Sequence, residues 1–321
     1  MIDLIIPAYN AENTIGRALA SIVAQTRPRK FMVTVVDDGS TDATAAVVKK
    51  FKGLIPLQYI KLEENLGRPG LVRNVGIEKT NCPYIMFLDS DDILAPNAGE
   101  VLSRAILQNQ PDFINSTFYQ DNGTDKYNVI TTKSLTWLHG NIYSRTFLKN
   151  NDIKFDECWN EDGSFNLKCF WLSEKYYIMS QPMSYWMNNR DSITRKNNNF
   201  LIDITYDYIK TYTEAIHYIL IKKPELRSDF KFKKACAEKL AEFFQFIDAS
   251  QYKKRNYSDV IDYIDKFVQI MYKYNIIDKV FFAYMNRHFN SYEIFPDVVR
   301  QNNLLYYLDK FNFNYEEFVN E

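Results

Sequence analysis

The most informative segment of this chain is Tyr84-Ile85-Met86-Phe87-Leu88-Asp89-Ser90-Asp91-Asp92. Its first half is a short run of aromatic and branched apolar residues without alternation, which is typical of a strand buried on both faces. The carboxylates that follow are therefore expected at the carboxyl edge of a sheet, where open α/β sheets bind ligands. Carboxylates this close repel one another unless a cation lies among them, and hard oxygen donors suit Mg²⁺ or Mn²⁺ carrying a phosphate. An acidic turn that caps the next helix explains this segment equally well.

Strands and helices alternate in the first hundred residues. The predicted strands are Ile2 to Ile6, Phe31 to Val36, Leu57 to Leu62 and Tyr84 to Leu88, and the helices between them are Ala11 to Gln25, Thr41 to Phe51 and Pro69 to Glu78. Strands that alternate with helices of this length predict βαβ units. The fold class is therefore α/β, with a mostly parallel sheet and helices on both of its faces.

The pattern changes in the second half of the chain. Ala98 to Gln108 predicts a helix and Asp112 to Gln120 a strand, and Ile142 to Trp186 predicts short strands with one helix at Gly163 to Leu172. The polar tract Arg190 to Asn199 predicts a loop or linker, which places the main domain boundary between residues 198 and 199. An all-helical C-terminal appendage follows, with predicted helices at Ile202 to Leu220, Lys231 to Ile247, Val260 to Tyr274 and Val280 to Phe289.

The composition is that of a soluble globular protein. Hydrophobic residues make up 46% of the 321 residues and charged residues 25%, and the formal net charge is -1. This charge gives no general attraction to nucleic acid or to an anionic membrane. No apolar run is long enough to span a membrane, and the start of the chain does not resemble a secretory signal. The four cysteines lack metal-ligand spacing, so we expect reduced thiols in a cytoplasmic protein.

Polar residues also follow the first two predicted strands. The first strand ends in Pro7-Ala8-Tyr9-Asn10, which can present backbone groups and an aromatic face to a flat base. The second ends in Val36-Asp37-Asp38-Gly39-Ser40-Thr41-Asp42, where an acid at the tip can accept a hydrogen bond from a uracil N–H or a ribose hydroxyl. A helix cap beside a packed Tyr explains the first tip as well, and a capping turn with surplus acids explains the second.

The third strand leads into a segment with three glycines and an arginine, Glu63-Glu64-Asn65-Leu66-Gly67-Arg68-Pro69-Gly70-Leu71-Val72-Arg73-Asn74-Val75-Gly76. The glycines allow the backbone to approach a ligand closely, and Arg73 can bind a phosphate or hold the acids of the fourth strand. A solvated or ion-paired arginine on a helix is the alternative. Because the carboxyl ends of parallel strands meet at one edge, all four tips together predict a single ligand site.

The combination of motifs resembles family 2 glycosyltransferases of the GT-A fold. The resemblance is carried by Ile5-Ile6-Pro7-Ala8-Tyr9-Asn10, Val35-Val36-Asp37-Asp38-Gly39-Ser40-Thr41-Asp42, Asn65-Leu66-Gly67 with Arg73-Asn74-Val75-Gly76, and Phe87-Leu88-Asp89-Ser90-Asp91-Asp92. These motifs occur in the family's order within the first hundred residues. The Arg-Asn-x-Gly step and the later Glu161-Asp162 resemble bacterial polymer-modifying members such as wall teichoic acid glycosyltransferases.

The resemblance implies a division of the chain and roles for individual residues. Residues 1–110 would bind the nucleotide sugar, 111–198 would form the acceptor side of the same domain, and 199–321 would form the helical domain. The residues that would hold the UDP-sugar are Pro7, Ala8, Tyr9, Asp38, Asn65, Arg73, Asp89 and Ser90. Asp91 would coordinate Mn²⁺ or Mg²⁺ on the diphosphate, and Asp92 would be a supporting acid.

The resemblance also implies a catalytic base and an acceptor side. The base would be Asp162, placed before the helix that follows it, where the helix dipole favours a carboxylate. A plain helix cap is the alternative. Trp137 or Trp159 would stack on a sugar ring, although a tryptophan is more often part of a core. His139 lies in the acceptor-side segment and is interpreted as structural. Many relatives carry a metal-binding histidine near the end of this domain, and Tyr185 to Thr194 contains none.

The expected reaction is an inverting transfer from a UDP-sugar to an acceptor hydroxyl. A nucleotidyltransferase and a noncatalytic nucleotide-sugar-binding module are the alternatives, the first of which normally has a glycine- and lysine-rich loop that Pro7 to Thr14 lacks. The acceptor is a glycan, a polyol-phosphate polymer or a hydroxylated base in phage DNA. Lys231-Phe232-Lys233-Lys234 and Lys253-Lys254-Arg255-Asn256-Tyr257 suit a phosphate backbone, although solvated helix faces explain them better. The helical appendage would bind a polymer or form a homo-oligomer.

Overall fold

The computed structural model describes residues 1–26, 30–124, 126–131, 135, 137–189, 200–248, 257–278, 281 and 284. The chain forms two compact units, Met1–Asn197 and Asn198–Glu321. The predicted linker Arg190 to Asn199 and nearly all of the predicted last helix lie outside the described residues. Within the described part of the chain, no helix is long and apolar enough to cross a membrane.

The first unit contains nine strands and six helices among its described residues. In chain order they are β1 (Ile2–Ala8), α1 (Ile15–Val23), β2 (Phe31–Asp37), α2 (Thr44–Lys49), β3 (Leu57–Lys61), α3 (Pro69–Glu78), β4 (Tyr84–Phe87), β5 (Ile93–Leu94), α4 (Ala98–Asn109), β6 (Phe113–Asp121), β7 (Tyr127–Ile130), β8 (Ile142–Ser144), α5 (Arg145–Asn150), α6 (Glu161–Leu172) and β9 (Tyr176–Trp186). The predicted α/β class is confirmed.

All nine strands belong to one sheet, in the order β3-β2-β1-β4-β8-β6-β9-β5, with β7 paired to β6. The strands β3, β2, β1 and β4 are parallel, as the alternating pattern predicts. The central strand β8 runs antiparallel to both β4 and β6, whereas β6 and β9 are parallel. The carboxyl ends of β1, β2, β3 and β4 therefore meet at one edge, where the predicted tips lie.

The two faces of β1 are covered by different helices. Leu4 belongs to the buried core that includes Ile15 and Leu19 of α1. Ile5 points to the opposite face, where a Cβ atom added to Gly76 of α3 would clash with its Cγ2. Glycine at position 76 therefore allows α3 to pack directly on the sheet. This packing fixes the position of the side chains that α3 carries to the edge.

Two expectations about elements were wrong. The sequence predicts one helix between Ile142 and Trp186, but α5 is a second one. The three-residue β8 is one of the short strands expected in that region, whereas the two-residue β5 is too short to give a periodic signal in the sequence. Glu161 and Asp162 were expected to precede a helix, whereas both lie in the first turn of α6.

The second unit is helical in its described part. It contains α7 (Phe200–Lys222), a 3-10 helix (Pro224–Ser228), α8 (Phe230–Asp248) and α9 (Tyr257–Lys273). Its core includes Phe243, whose ring packs edge-on against that of Phe267.

The first basic and aromatic stretch, Lys231-Phe232-Lys233-Lys234, makes most of its contacts within this unit. Phe232 is buried, Lys233 pairs with Asp278, and Lys234 pairs with Glu238. These contacts agree with the interpretation of this stretch as a helix face rather than a phosphate-binding surface. The second such stretch, at 253–257, lies outside the described residues except for the backbone of its last residue.

Candidate active site

The loops that follow β1 and β2 are joined by side chain to backbone hydrogen bonds. The Asn10 N–H donates to Ser40 Oγ at 2.9 Å, and Asn10 Oδ1 accepts the Thr41 N–H at 2.9 Å. Asn10 has a φ of 47°, a left-handed conformation that asparagine tolerates better than most residues. The loops therefore form one continuous rim. Tyr9 lies on this rim and is 54% exposed.

Asp38 connects this rim to the loop after β3. Its buried carboxylate accepts the N–H of Leu66 at 2.7 Å on Oδ1 and the N–H of Gly67 at 3.1 Å on Oδ2. Its own N–H donates to the carbonyl of Ala8 at 2.8 Å. Asp38 thus holds three tips in register, and Gly67 can adopt its φ of 67° because it has no Cβ. The neighbouring Asn65 is exposed at this rim, and Pro7 is buried in β1.

The acids after β4 form a tight turn. The N–H of Asp92 donates to the carbonyl of Asp89 at 3.0 Å, and Arg17 donates to the carbonyl of Asp91 at 2.7 Å. Ser90 lies in the turn and is partly exposed, as is Asp89. The turn therefore presents Asp89 and Asp91 at the edge of the sheet while Asp92 is buried.

Arg73 is the centre of the site. Its side chain is 4% exposed, and its guanidinium contacts three carboxylates. Nη2 donates to Asp89 Oδ1 at 2.7 Å, and Nη1 donates to Glu161 Oε1 at 2.9 Å and to Asp162 Oδ1 at 3.0 Å. The planar fork of an arginine suits such a shared arrangement, which a lysine could not reproduce. Arg73 therefore joins the acidic turn after β4 to the first turn of α6.

The three carboxylates differ in their affinity for protons. Burial would raise the pKa of Asp89, but Arg73 brings it below the ordinary value. Burial raises the pKa of Asp162 to about 6, although Arg73 opposes this shift. The pKa of Glu161 is raised to about 8 by burial and by the adjacent Asp162. One guanidinium cannot compensate three negative charges, so Glu161, the most buried of the three carboxylates, is the group that keeps a proton at neutral pH.

Asp91 and Asp92 are held by the segment after β9 and by His139. Asn189 Nδ2 donates to Asp91 Oδ2 at 2.9 Å, and the Met187 N–H donates to Asp92 Oδ1 at 2.9 Å. His139 Nδ1 lies 3.2 Å from Asp92 Oδ2. Burial and the neighbouring Asp89 raise the pKa of Asp91. Burial also raises the pKa of Asp92 to about 6, and His139 opposes this shift.

Two further residues of the Gly70-to-Gly76 segment fix α6 against α3. Asn74 makes a pair of hydrogen bonds to the backbone of Phe155, with Nδ2 donating at 3.0 Å and Oδ1 accepting at 3.0 Å. A Cβ atom on Gly70 would lie 2.7 Å from Glu161 Cγ, so only glycine fits there without displacement. The sequence suggests close approach to a ligand at these glycines, and in the structure Gly70 and Gly76 instead permit close packing within the protein.

Aromatic side chains form a wall beside the acids. The ring of His139 stacks against Trp186 with centroids 5.6 Å apart, and Trp137 lies 4.8 Å from Trp186. Trp159 lies elsewhere, under the guanidinium of Arg68, whose Cζ is 4.1 Å from the ring centroid. Trp137 and Trp159 therefore belong to two separate clusters.

The predicted site residues come together at one edge, in two groups. Asp38 and Asn65 belong to the rim with Tyr9. The acids Asp89, Asp91 and Asp162 gather around Arg73 and the acidic turn. Glu161, which the sequence singles out only together with Asp162, shares Arg73 with it, and Asn189, which contacts Asp91, was not predicted as a functional residue.

The donor set of the site suits a divalent cation only when substrate phosphates supply further ligands. Within the described ranges, no group of three or more His, Cys, Asp or Glu side chains could hold a metal ion. Asp91 is partly exposed, and burial together with the neighbouring Asp89 raises its pKa. Mg²⁺ is commonly bound through one or two carboxylates together with the phosphates of a substrate. The residues present therefore fit a metal carried by a diphosphate.

Comparison with known proteins identifies a family. The family model described as glycosyl transferase family 2 matches residues 3–167, which are 165 of the 321 residues. The match includes β1 to β4, the acidic turn and the first turn of α6. All the site residues predicted from the sequence lie inside it.

The curated relatives include enzymes that modify teichoic acids. The poly(ribitol-phosphate) β-N-acetylglucosaminyltransferase TarS of Staphylococcus aureus strain MW2 is 30% identical over 204 residues, which cover 59% of this chain and 36% of TarS. The poly(ribitol-phosphate) β-N-acetylglucosaminyltransferase TarP of Staphylococcus aureus strain N315 is 23% identical over 332 residues, which cover 95% of this chain and 96% of TarP. The match thus spans about a third of the length of TarS but nearly all of TarP.

A solved structure shows the same fold. The crystal structure of Staphylococcus aureus TarS 1-349 in complex with UDP-GlcNAc aligns with a TM-score of 0.69 and 22% identity, over 90% of this chain and 89% of that one. At this identity the likeness establishes the fold alone. It agrees with the predicted GT-A architecture followed by a helical region.

Proposed function

The chain belongs to glycosyl transferase family 2, and we propose that it transfers a sugar from a UDP-sugar to a hydroxyl group of a polyol-phosphate polymer, with inversion at the anomeric carbon. The observation that carries the proposal is the bridge made by Arg73. One guanidinium joins Asp89, on the side expected to bind the diphosphate, to Asp162, the proposed base. This arrangement brings a donor and an acceptor to adjacent positions at one edge of the sheet.

The donor side is formed by residues 1–110. Tyr9 and Asn65 are exposed on the rim and are available to contact a uridine. Asp38 orders this rim by binding the backbone of Leu66 and Gly67, and each of its oxygens retains a second lone pair for a ligand. The crystal structure of TarS with UDP-GlcNAc supports the choice of a UDP-sugar, since it has the same fold. We assign Ser90 and Asp89 to the sugar and diphosphate side of this site.

The proposed chemistry is a single displacement. Asp162 takes the proton from the acceptor hydroxyl, the hydroxyl oxygen forms a bond to the anomeric carbon, and the bond to UDP breaks, its electron pair leaving with UDP. Arg73 holds Asp162 Oδ1 at 3.0 Å and so orients the carboxylate. The position of Asp162 in the first turn of α6 also favours its charged form. Asp91 would hold Mg²⁺ or Mn²⁺, which would supply positive charge to the departing diphosphate.

The acceptor side is formed by residues 111–198. TarS and TarP are named for the transfer of N-acetylglucosamine to poly(ribitol-phosphate), and TarP matches nearly the whole chain. These names support a polyol-phosphate acceptor over a neutral glycan or a hydroxylated base in DNA. Free cysteines in the described residues suit a reducing compartment, so we place the reaction in the cytoplasm.

The second unit is proposed to form a homo-oligomer or to bind the polymer. Its described surface includes three large apolar side chains that are more than half exposed, Ile221, Phe230 and Tyr272. If these side chains form one contiguous apolar patch, that patch would mark an interaction surface. Size-exclusion chromatography with light scattering at two protein concentrations tests for an oligomer, and a monomer at both would exclude one.

The experiment that tests the function is a transfer assay with a panel of donors and acceptors. UDP-GlcNAc, UDP-GalNAc, UDP-glucose and UDP-galactose are each incubated with poly(ribitol phosphate), poly(glycerol phosphate), a neutral glycan and hydroxymethylated DNA. We expect UDP release and a matching mass increase of a polyol-phosphate acceptor, and NMR of the product should show the inverted anomer. Pyrophosphate release would indicate a nucleotidyltransferase. UDP binding without turnover of any pair would indicate a noncatalytic module.

A further inference from the structure

Arg68 and Trp159 form a stacked pair at the edge of the site. The Cζ atom of Arg68 lies 4.1 Å from the centroid of the Trp159 ring, and Arg68 Nη1 donates to the carbonyl of Gly67 at 3.2 Å. Both residues are partly exposed. Stacking on an indole fixes the plane of a guanidinium and costs it little hydration, because this group is weakly hydrated. The pair therefore presents a preoriented cation to the solvent.

The pair spans the space between the donor rim and the proposed base. Arg68 directly follows Gly67, whose N–H is held by Asp38, and directly precedes α3. Trp159 lies two residues before Glu161, at the start of α6. The first turns of α3 and α6 are in close contact at Gly70 and Glu161. A group bound by Arg68 would therefore lie beside the carboxylate that receives the acceptor proton.

Other cations around the site, among the residues that the structure describes, are committed to protein groups. Arg73 binds three carboxylates, Arg17 donates to the carbonyl of Asp91, and Lys61 donates to the carbonyl of Ser40. Among the residues that the structure describes, Arg68 makes no ion pair with a carboxylate, and it contacts the carbonyl of Gly67 and the ring of Trp159. Arg68 is thus the arginine of this edge that retains the capacity to bind an anion.

An anionic acceptor needs such a cation. A polyol-phosphate chain carries one negative charge per repeat. Its hydroxyl must approach Asp162 and Asp89, and these carboxylates repel the phosphates of the chain. A guanidinium binds two phosphate oxygens through parallel hydrogen bonds, which gives orientation as well as attraction. We infer that Arg68, held on Trp159, is the subsite that binds a phosphodiester group of the acceptor polymer next to the reacting hydroxyl. This inference rests on the proposed function and specifies how its acceptor is selected.

The test compares Arg68→Gln with a control that removes an equivalent charge. Arg104→Gln is the control, because Arg104 is 69% exposed on α4 and pairs only with Glu100 among described residues. With poly(ribitol phosphate), we expect Arg68→Gln to raise the acceptor KM by about tenfold or more, since charge-assisted hydrogen bonds are lost. The kcat at saturating acceptor and the Kd for UDP should stay within twofold. Arg104→Gln should change none of these values.

Two further variants separate charge from orientation. Arg68→Lys retains the charge without the planar fork, and Trp159→Leu removes the aromatic face, so each should raise the acceptor KM by an intermediate factor. Raising the KCl concentration should increase the KM of the unmodified protein more than that of Arg68→Gln. Salt screens the attraction between Arg68 and the acceptor phosphate, and the variant no longer has this attraction.

Three outcomes would overturn the subsite. These are an unchanged acceptor KM for Arg68→Gln, a loss of UDP affinity that matches the rise in KM, and an equal rise in KM on a neutral acceptor. If the unmodified protein transfers to no acceptor, the proposed function fails instead. In that case calorimetric titration of poly(ribitol phosphate) into the unmodified protein and Arg68→Gln tests the subsite directly, with equal affinities contradicting it and weaker binding by the variant supporting it.

Discussion

Arg73 Nη1 lies 3.0 Å from Asp162 Oδ1 while the other end of the same guanidinium lies 2.7 Å from Asp89 Oδ1. The acid after β4 and the acid on α6 are 73 positions apart in the chain, yet a single buried side chain sets their separation. Removing one partner of such a cluster leaves uncompensated charge behind. The behaviour of the remaining carboxylates therefore provides several tests.

Glu161 is expected to hold a proton when the protein is folded at neutral pH. Its pKa is raised to about 8, first by burial and then by Asp162, from an ordinary value of 4.5. Folding therefore binds a proton that the unfolded chain has released above pH 4.5, so this group lowers the free energy of unfolding as the pH rises from about 5 to 8. Glu161→Gln removes this titration. Over the same pH range, the free energy of unfolding of the variant should therefore fall by at least about 1 kcal/mol less than that of the unmodified protein.

Urea unfolding at pH 5.5 and pH 8 measures how far the free energy of unfolding falls in the unmodified protein and in Glu161→Gln. A neutral glutamine also resembles the protonated acid in shape, so Glu161→Gln should retain transfer activity within about tenfold of the unmodified protein at pH 7. Equal declines for the two proteins would show that the folded protein does not bind this proton.

Transfer should depend on pH through Asp162. Burial raises the pKa of Asp162 to about 6, and a base acts in its deprotonated form, so activity should be lost as the pH falls through 6. At pH 5 the kcat should be about tenfold below its plateau near pH 8. Since Arg73 lowers the pKa of Asp162, Arg73→Gln should move this acidic limb to higher pH. Initial rates between pH 5 and 8 at saturating substrates measure the position of the acidic limb. A limb at lower pH in Arg73→Gln than in the unmodified protein would show that Arg73 does not lower the pKa of Asp162.

Asp91 should couple UDP binding to a divalent metal. In the presence of Mn²⁺, Asp91→Asn is expected to weaken UDP binding by about tenfold or more, because a charged ligand of the cation is lost. In EDTA the two proteins should bind UDP equally. Glu78→Gln, which removes an exposed carboxylate on α3, is the control. Calorimetry with and without metal measures these affinities, and an equal loss in EDTA would exclude a role through the metal.

Gly76→Ala tests how closely α3 must approach the sheet. The added methyl group would clash with Ile5 Cγ2, so we expect a loss of about 1–3 kcal/mol in the free energy of unfolding. Ile5→Ala removes the clashing atom, and the double variant should be more stable than the sum of the two single effects predicts. Chemical unfolding of all four proteins gives the coupling energy. A coupling near zero would show that α3 moves away from β1 without cost.

The first hundred residues could be predicted well because each element there depends on its own sequence. The runs that became β1 to β4 are short, apolar and followed by polar tips, and a parallel sheet brings such tips to one edge. The role of Asp38 was harder to foresee. An acid at a strand tip suggests a ligand, but the same carboxylate also accepts two backbone N–H groups from the next loop.

The remainder depends on contacts between distant parts of the chain. Arg73 and Glu161 are 88 residues apart, and Asp91 and Asn189 are 98 apart, so no local pattern joins them. The antiparallel strand β8 pairs with β4, which is far from it in the chain, so its place in the sheet has no local signal. A glutamate and an aspartate at the start of a helix are also common for structural reasons, so the sequence alone does not distinguish a catalytic base from a helix cap.

Transfer by Asp162→Asn, measured together with UDP binding, tests the identity of the base most directly. The control is Glu157→Gln, which removes an exposed carboxylate from the same segment. Asp162→Asn should lower the transfer rate by about 10² or more while the Kd for UDP stays within twofold, since asparagine cannot accept the hydroxyl proton. Glu157→Gln should match the unmodified protein. Transfer by Asp162→Asn at an undiminished rate would contradict the account.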